Sequence, residues 1–167
     1  MKVIYGYVFK DCTSLKRIML PDGVKVIGDH AFDGCTGLMI VTIPDSVEEI
    51  GKAAFRDCRG LLGITIPGSV TEIRESVFRG CTGIKKITIP DKVTKIGVGA
   101  FDGCTGLTEL MIPESVTEIG EYAFVGCTGL KRIILPDGVK VGRRAFKDCK
   151  AEINAKPGKR KIKCDPD

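Results

Sequence analysis

Every phenylalanine in the chain falls on one clock. Phe9, Phe32, Phe55, Phe78, Phe101 and Phe124 lie 23 residues apart, and Phe146 follows after 22. Cysteine keeps the same time at Cys12, Cys35, Cys58, Cys81, Cys104, Cys127 and Cys149, and proline at Pro21, Pro44, Pro67, Pro90, Pro113 and Pro136. The octapeptide AFDGCTGL recurs letter for letter at 31–38 and 100–107. The unit reads roughly A-F-x-G-C-T-G-L-x-x-I-x-I-P-D-S-V-x-x-I-G-x-x. Self-similarity at a fixed period of this length is the signature of a tandem array. A unit of 23 residues cannot close a core alone. It must be one coil of a solenoid that buries its apolar side on the next coil.

Within the second coil the apolar positions are Phe32, Cys35, Leu38, Val41, Ile43, Val47 and Ile50. Leu38–Ile43 ends in alternation and its column is filled by β-branched residues throughout, which predicts a short strand. Pro44 stops it, because proline cannot donate to a ladder. Asp45-Ser46 suits a turn, and Val47–Ile50 reads as a second short extended piece. Gly51 and Ala54-Phe55 fit a tight turn with one helical turn, which returns the chain to the next strand. Glycine recurs at Gly37, Gly60, Gly83, Gly106 and Gly129, where a positive φ is the expected demand. Stacked strands of successive coils then form a parallel sheet along one face.

These residues resemble the BspA-like leucine-rich repeats, whose unit is similar to L-x-x-I-x-I-P-x-x-V-x-x-I-G-x-x-A-F-x-x-C. The resemblance covers residues 1–149, about six full 23-residue coils starting in mid-coil, and residues 150–167 are set apart as a charged C-terminal cap or tail. It implies a leucine-rich-repeat solenoid, a curved right-handed superhelix. The parallel β-sheet would lie on the concave face, with short extended or helical turns on the convex side. It further implies a non-enzymatic ligand-binding or adhesion role toward proteins or host matrix, at the cell surface or in secreted form. Arg74 stands where the unit has glycine, Val77 where it has alanine, and the coil at 139–142 is one residue short. These departures bear on local geometry.

A cysteine in each of seven coils raises the question of chemistry. Structural metal sites need ligands that converge, whereas one cysteine per coil forms a line at about 5 Å per step. Parallel inward side chains do not converge, and identical rotamers do not direct Cβ vectors toward each other as a disulfide requires. Cysteine is therefore read as a small buried hydrophobe between phenylalanine and leucine of adjacent coils. Cys164 stands outside the frame, and a Cys149–Cys164 bridge is an end-capping alternative for an exported chain. His30, the one histidine, shares its column with Ala53, Ser76, Gly99, Tyr122 and Arg144, which reads as a solvated outer position. The column Thr13, Thr36, Thr82, Thr105 and Thr128 is expected to form a hydroxyl hydrogen-bond ladder. The acidic column Asp22, Asp45, Asp91, Glu114 and Asp137 is broken at Gly68. It supplies too few converging oxygens for calcium and is read as turn capping. No phosphate-cradling or hydrolase motif occurs, so no enzyme, metal or cofactor is expected.

The strand face varies where the rest of the unit is fixed, and it is the candidate partner site. Its outward positions include Arg17, Met19, Met39, Ile40, Thr42, Leu62, Thr65, Lys85, Lys86, Thr88, Glu109, Met111, Arg132 and Ile134. Met39, Ile40 and Leu62 form an apolar patch flanked by the basic pairs Lys16-Arg17 and Lys85-Lys86, the composition of a protein-binding surface. Net charge is +5, of which +3 falls on residues 150–167. A weak surplus concentrated at the tail speaks against nucleic acid, which needs basic residues clustered on the folded body. No membrane-spanning run occurs, and MKVIYGYVFK lacks the features of a signal peptide. A cytoplasmic scaffold using the same face is therefore the alternative to a surface adhesin. With no capping module in this stretch, either further residues precede it or the bare N-terminal coil associates with a partner or with itself. In the tail, Ile153 and Ile162 are expected to cover the last coil around a Pro157-Gly158 turn.

Overall fold

The computed structural model describes residues 2–155. Each coil contributes a short strand to two separate rows. The first row holds β2 (Arg17–Met19), β4 (Ile40–Thr42), β6 (Gly63–Thr65), β8 (Lys86–Thr88), β10 (Glu109–Met111), β12 (Arg132–Leu135) and β14 (Glu152–Ala155). The second holds β1 (Lys2–Ile4), β3 (Val24–Ile27), β5 (Glu49–Ile50), β7 (Glu72–Ile73), β9 (Lys95–Ile96), β11 (Glu118–Ile119) and β13 (Lys140–Val141). Every pairing is parallel, and apart from a register shift between Lys2 and Val3 in the β1–β3 pair it is in register from coil to coil, as Ile64↔Ile87 and Leu110↔Ile133 show. The fold is a leucine-rich-repeat solenoid. Its third side, where a helical turn was one expectation, carries only turns among the described residues.

The periodic residues form one continuous core. Phe32, Phe55, Phe78, Phe101 and Phe124 are fully buried, with Leu38, Leu61, Ile84 and Leu107 beside them. The rings stack from Phe9 to Phe146 with centroids 5.1–6.0 Å apart. Strand middles point inward and their ends outward, so that β4, β6, β8 and β10 all read exposed–buried–exposed. β14 lies within the segment set apart as a cap. It pairs with β12 and buries Ile153 against the last coil. Ile162, the Pro157-Gly158 turn and Cys164, with any Cys149–Cys164 bridge, lie outside the described residues.

The glycine expectation is corrected. Gly37, Gly60, Gly83, Gly106 and Gly129 have no positive φ. They are small because the neighbouring coil's backbone crosses there: a Cβ on Gly83 would sit 2.5 Å from the Arg59 carbonyl oxygen. Apart from Gly23 and Gly138, the left-handed turn positions are two other columns. One is Asp11, Gly34, Asp57, Gly80, Gly103, Gly126 and Asp148, at φ of 55° to 74°. The other is Tyr7, His30, Ala53, Ser76, Gly99, Tyr122 and Arg144, at φ of 50° to 62°. The threonine ladder is also corrected. In that column the backbone amides bond, as Thr36 N does to the Gly34 carbonyl at 2.7 Å. Coil-to-coil hydroxyl bonds instead join Thr117 to Thr94 and Thr94 to Thr71, at 3.3 and 3.4 Å.

One junction departs from the rest. In both rows the ladder lapses between the second and third coils, since β4 does not pair with β6, nor β5 with β7. Elsewhere along the second row, amides cross from each coil to the one before it, as from Gly51 to Ile27 and from Gly97 to Ile73, both at 2.7 Å. Arg74 makes no such bond to Ile50. The cause is steric and electrostatic. A Cβ on Gly51, Gly97, Gly120 or Gly142 would lie 2.5–2.7 Å from the preceding coil's backbone. Arg74 has that Cβ, so its coil must stand off. Glu49 and Glu72 also occupy equivalent positions of adjacent strands, and like charges placed opposite each other weaken pairing. The Arg74 guanidinium reaches back to Glu49 at 2.7 Å, and the ring spacing is widest in the turns that follow Gly51 and Arg74, 6.0 Å between Phe55 and Phe78.

Candidate binding face

All of the candidate face residues lie on the first strand row or immediately before its strands. Arg17, Met19, Ile40, Thr42, Thr65, Lys86, Thr88, Glu109, Met111 and Arg132 are exposed strand positions, and Ile134 is half-buried. Met39, Leu62 and Lys85 are exposed in the residue before the strand. They project because the alternating partner (Val41, Ile64, Ile87, Leu110 or Ile133) is drawn into the core. Exposure is high for apolar groups: Met19 is 73% exposed, Met111 69% and Leu62 55%.

A hollow of about 460 Å³ opens over the fourth to sixth coils. It gathers Lys86, Thr88, Glu109, Met111, Arg132 and Ile134, six of the candidate residues, over a floor of Ile87 and Leu110. The Met39, Ile40 and Leu62 patch lies outside this hollow and straddles the lapsed junction, with Met39 and Ile40 on one side and Leu62 on the other. Sequence reasoning missed Asp91 and Pro113, which line the hollow's edge. Their columns had been assigned to the turn after each strand, and the signal that could have found them is that this turn borders the outward face.

The cysteine column is buried from Cys35 to Cys149, whereas Cys12 is exposed for want of a covering coil. Its role is more than volume. Each buried thiol donates to the carbonyl of the phenylalanine one coil earlier: Cys35 to Phe9 at 3.0 Å, Cys58 to Phe32 at 3.2 Å, Cys81 to Phe55 at 3.0 Å. Cys104, Cys127 and Cys149 repeat the bond to Phe78, Phe101 and Phe124 at 3.1, 3.1 and 2.8 Å. Burial pushes the Cys35 thiol up to about 11 and the Cys104 thiol up to about 12. These are protonated donors, the reverse of an activated thiolate. Among the described residues no group of three or more His, Cys, Asp or Glu is placed to hold a metal.

His30 is corrected too. It is half-buried, its Nδ1 lies 2.9 Å from Asp33 Oδ2, and its ring stacks on Tyr7 at 4.9 Å. Asp33 is 2% exposed and also accepts from Arg56 Nε at 2.9 Å. The cluster fastens three consecutive coils together on the turn side, away from the strand row. A tolerant column looked solvated because its common demand is a backbone angle, which leaves the side chain free to vary.

A constant core, a constant turn chemistry and a variable row of outward strand ends define a repeat solenoid of the leucine-rich class. No helix of the described residues is long and apolar enough to cross a membrane. The family model for the BspA-type leucine-rich repeat region, in its six-copy form, matches residues 2–127 and 49–159. The chain belongs to the BspA-type leucine-rich repeat family, whose repeats generally serve as protein-interaction modules. It is similar to the T. pallidum leucine-rich repeat protein known from a crystal structure, with 37% identity and a TM-score of 0.86 over 89% of this chain and 70% of that one. A leucine-rich repeat protein from Bacteroides ovatus aligns at 28% identity and a TM-score of 0.54, over 90% of this chain and 51% of that one. The chain therefore spans about half the length of this second relative. Comparison with curated proteins gives no match.

Proposed function

We propose that this chain is a non-catalytic recognition module that holds a protein or matrix ligand on its first strand row, as an adhesin of the cell surface. The observation that carries the reading is the hollow of about 460 Å³, placed on the one face whose residues change from coil to coil. Concave sites with an apolar floor and a few converging polar groups are where ligands bind. Ile87 and Leu110 supply the floor, and Lys86, Glu109 and Arg132 the polar rim. Two double variants test it: Met111→Glu with Ile134→Glu in the hollow, and Ile40→Glu with Leu62→Glu in the patch. With thermal unfolding unchanged, the first is expected to abolish retention of matrix proteins on the immobilised chain. Undiminished retention by both variants would sink the reading.

A second reading, an intracellular scaffold working through the same face, draws on the six buried cysteines, whose thiols donate to carbonyls and form no disulfide among the described residues. Protease treatment of intact source cells separates the two. An adhesin is degraded from outside, and a scaffold survives until lysis.

A further inference from the structure

The charges of this solenoid are handled differently on its different sides. On the second strand row and the turn row, several cations find carboxylates in the adjacent coil: Lys25 with Glu48 at 2.5 Å, Lys52 with Glu75 at 3.1 Å, Arg79 with Asp102 at 3.1 Å, Lys95 with Glu118 at 3.1 Å. Those of the last coil, Lys140 and Arg143, find none among the described residues. The first row carries the pairs Lys16-Arg17, Lys85-Lys86 and Lys131-Arg132 in its first, fourth and sixth coils. None of these six has an ion-pair partner among the described residues. Glu109 lies in register with both Lys86 and Arg132 and pairs with neither. Counting each strand with the residue before it, six cations stand against Glu109 and Glu152, a surplus of four, with Asp91 the further carboxylate at the hollow's edge.

Building on the reading of this row as the binding face, we infer that its occupant is an extended, acidic polypeptide segment with interspersed apolar side chains, laid along the stack axis. Charge complementarity sets the sign of the partner. The apolar groups set its class: Met19, Met111 and Leu62 are all more than half exposed on the same face, and a charge-only polyanion would leave them wet. The row carries no aromatic residue on which a nucleic-acid base could stack. Length follows from spacing. Five strand steps of about 4.8 Å place the first and last basic pairs roughly 24 Å apart, a span that about seven extended residues bridge.

The test measures fluorescence anisotropy of a labelled alternating glutamate–leucine peptide of about that length, against an alternating lysine–leucine peptide and with dextran sulfate as competitor. The acidic peptide is expected to bind, more weakly as salt rises. It should lose at least about tenfold in affinity with Lys85→Glu/Lys86→Glu or with Lys131→Glu/Arg132→Glu. Leu62→Ala/Met111→Ala should weaken it as well, and Lys52→Glu on the second row should not. Circular dichroism of each variant checks that the fold survives. Preference for the lysine–leucine peptide, lost in the face variants, overturns the acidic assignment and leaves the face standing. Acidic-peptide binding indifferent to both basic-pair reversals overturns the face itself. Equal competition by dextran sulfate, with Leu62→Ala/Met111→Ala neutral, replaces the polypeptide by a sulfated glycan and overturns the class.

Discussion

At the scale of single residues, the thiol column shows how a repeat satisfies its own backbone. The carbonyl of each buried phenylalanine accepts the amide of the cysteine three residues on, and the next coil's thiol donates to the same oxygen: Phe32 O takes Cys35 N at 3.1 Å and Cys58 Sγ at 3.2 Å. A carbonyl oxygen has two lone pairs, and the thiol takes the second across the coil boundary, a tie between neighbours that accounts for a cysteine being kept in every coil. The thiols also set a pH response. Unfolded, they ionise near their ordinary value of about 8.5; folded, Cys35 and Cys104 keep their protons to about 11 and about 12 because burial disfavours the thiolate. Above about pH 9 the unfolded state binds fewer protons than the folded one, so stability is full below that pH and falls as pH rises toward 11–12, by up to about 1.4 kcal/mol per pH unit per thiol. Urea unfolding from about pH 8 to about pH 11 should show this decline, and Cys104→Val should flatten its slope by one thiol's share. An unchanged slope would exclude the mechanism. Burial of this column was legible from its period alone. Its hydrogen bond was not, because the acceptor is a main-chain atom 26 residues away and leaves no letter in the sequence. The two kinds of glycine column were indistinguishable for the same reason: close approach and positive φ both read as G.

At the scale of elements, both strand rows were legible: proline and β-branched alternation placed the first, and the V-x-x-I segment the second. The lapse between the second and third coils was visible only as the letter Arg74 in a glycine column. Its consequence needed the backbone distance of the neighbouring coil, since a Cβ there meets main chain at 2.5–2.7 Å in the equivalent positions. Arg74→Gly should therefore let β5 and β7 pair and raise stability by about 1 kcal/mol. It does so although it gives up the exposed ion pair with Glu49, a contact worth little on its own. Amide exchange provides the reading. Thr71 and residue 74 should become protected in the variant, as Thr94 and Gly97 are by their coil-to-coil bonds in the wild-type chain. Unaltered exchange at both, with no gain in unfolding free energy, would show that the wedge is not steric. The same lapse divides the candidate face. The Met39, Ile40 and Leu62 patch straddles it, while the hollow lies wholly on the intact ladder beyond. A preformed site belongs on the unbroken ladder, which the sequence could not reveal because the lapse shows only in the backbone pairing.

At the scale of the whole molecule, stability is close to a sum over neighbouring coils, and the phenylalanine stack makes that sum measurable. Phe101 has a ring on either side, at 5.4 and 5.2 Å, and is fully buried; Phe9 has one neighbour, at 5.1 Å, and is only partly buried. Phe101→Ala should cost about 3–5 kcal/mol, and Phe9→Ala clearly less, by denaturant midpoint at constant m-value. Equal losses would mean that the chain does not behave as a linear array. The turn side adds a property that a tally of contacts hides. Its coil-to-coil amides donate in one sense, from each coil to the next: Tyr7 to Asp29, Phe9 to Ala31, Phe55 to Val77, Phe124 to Ala145. That side of the stack is a vector. The second row's amides run the other way, as from Gly51 to Ile27 and from Gly97 to Ile73, so the stack carries two opposed lines of hydrogen-bond dipoles, one along each of these sides.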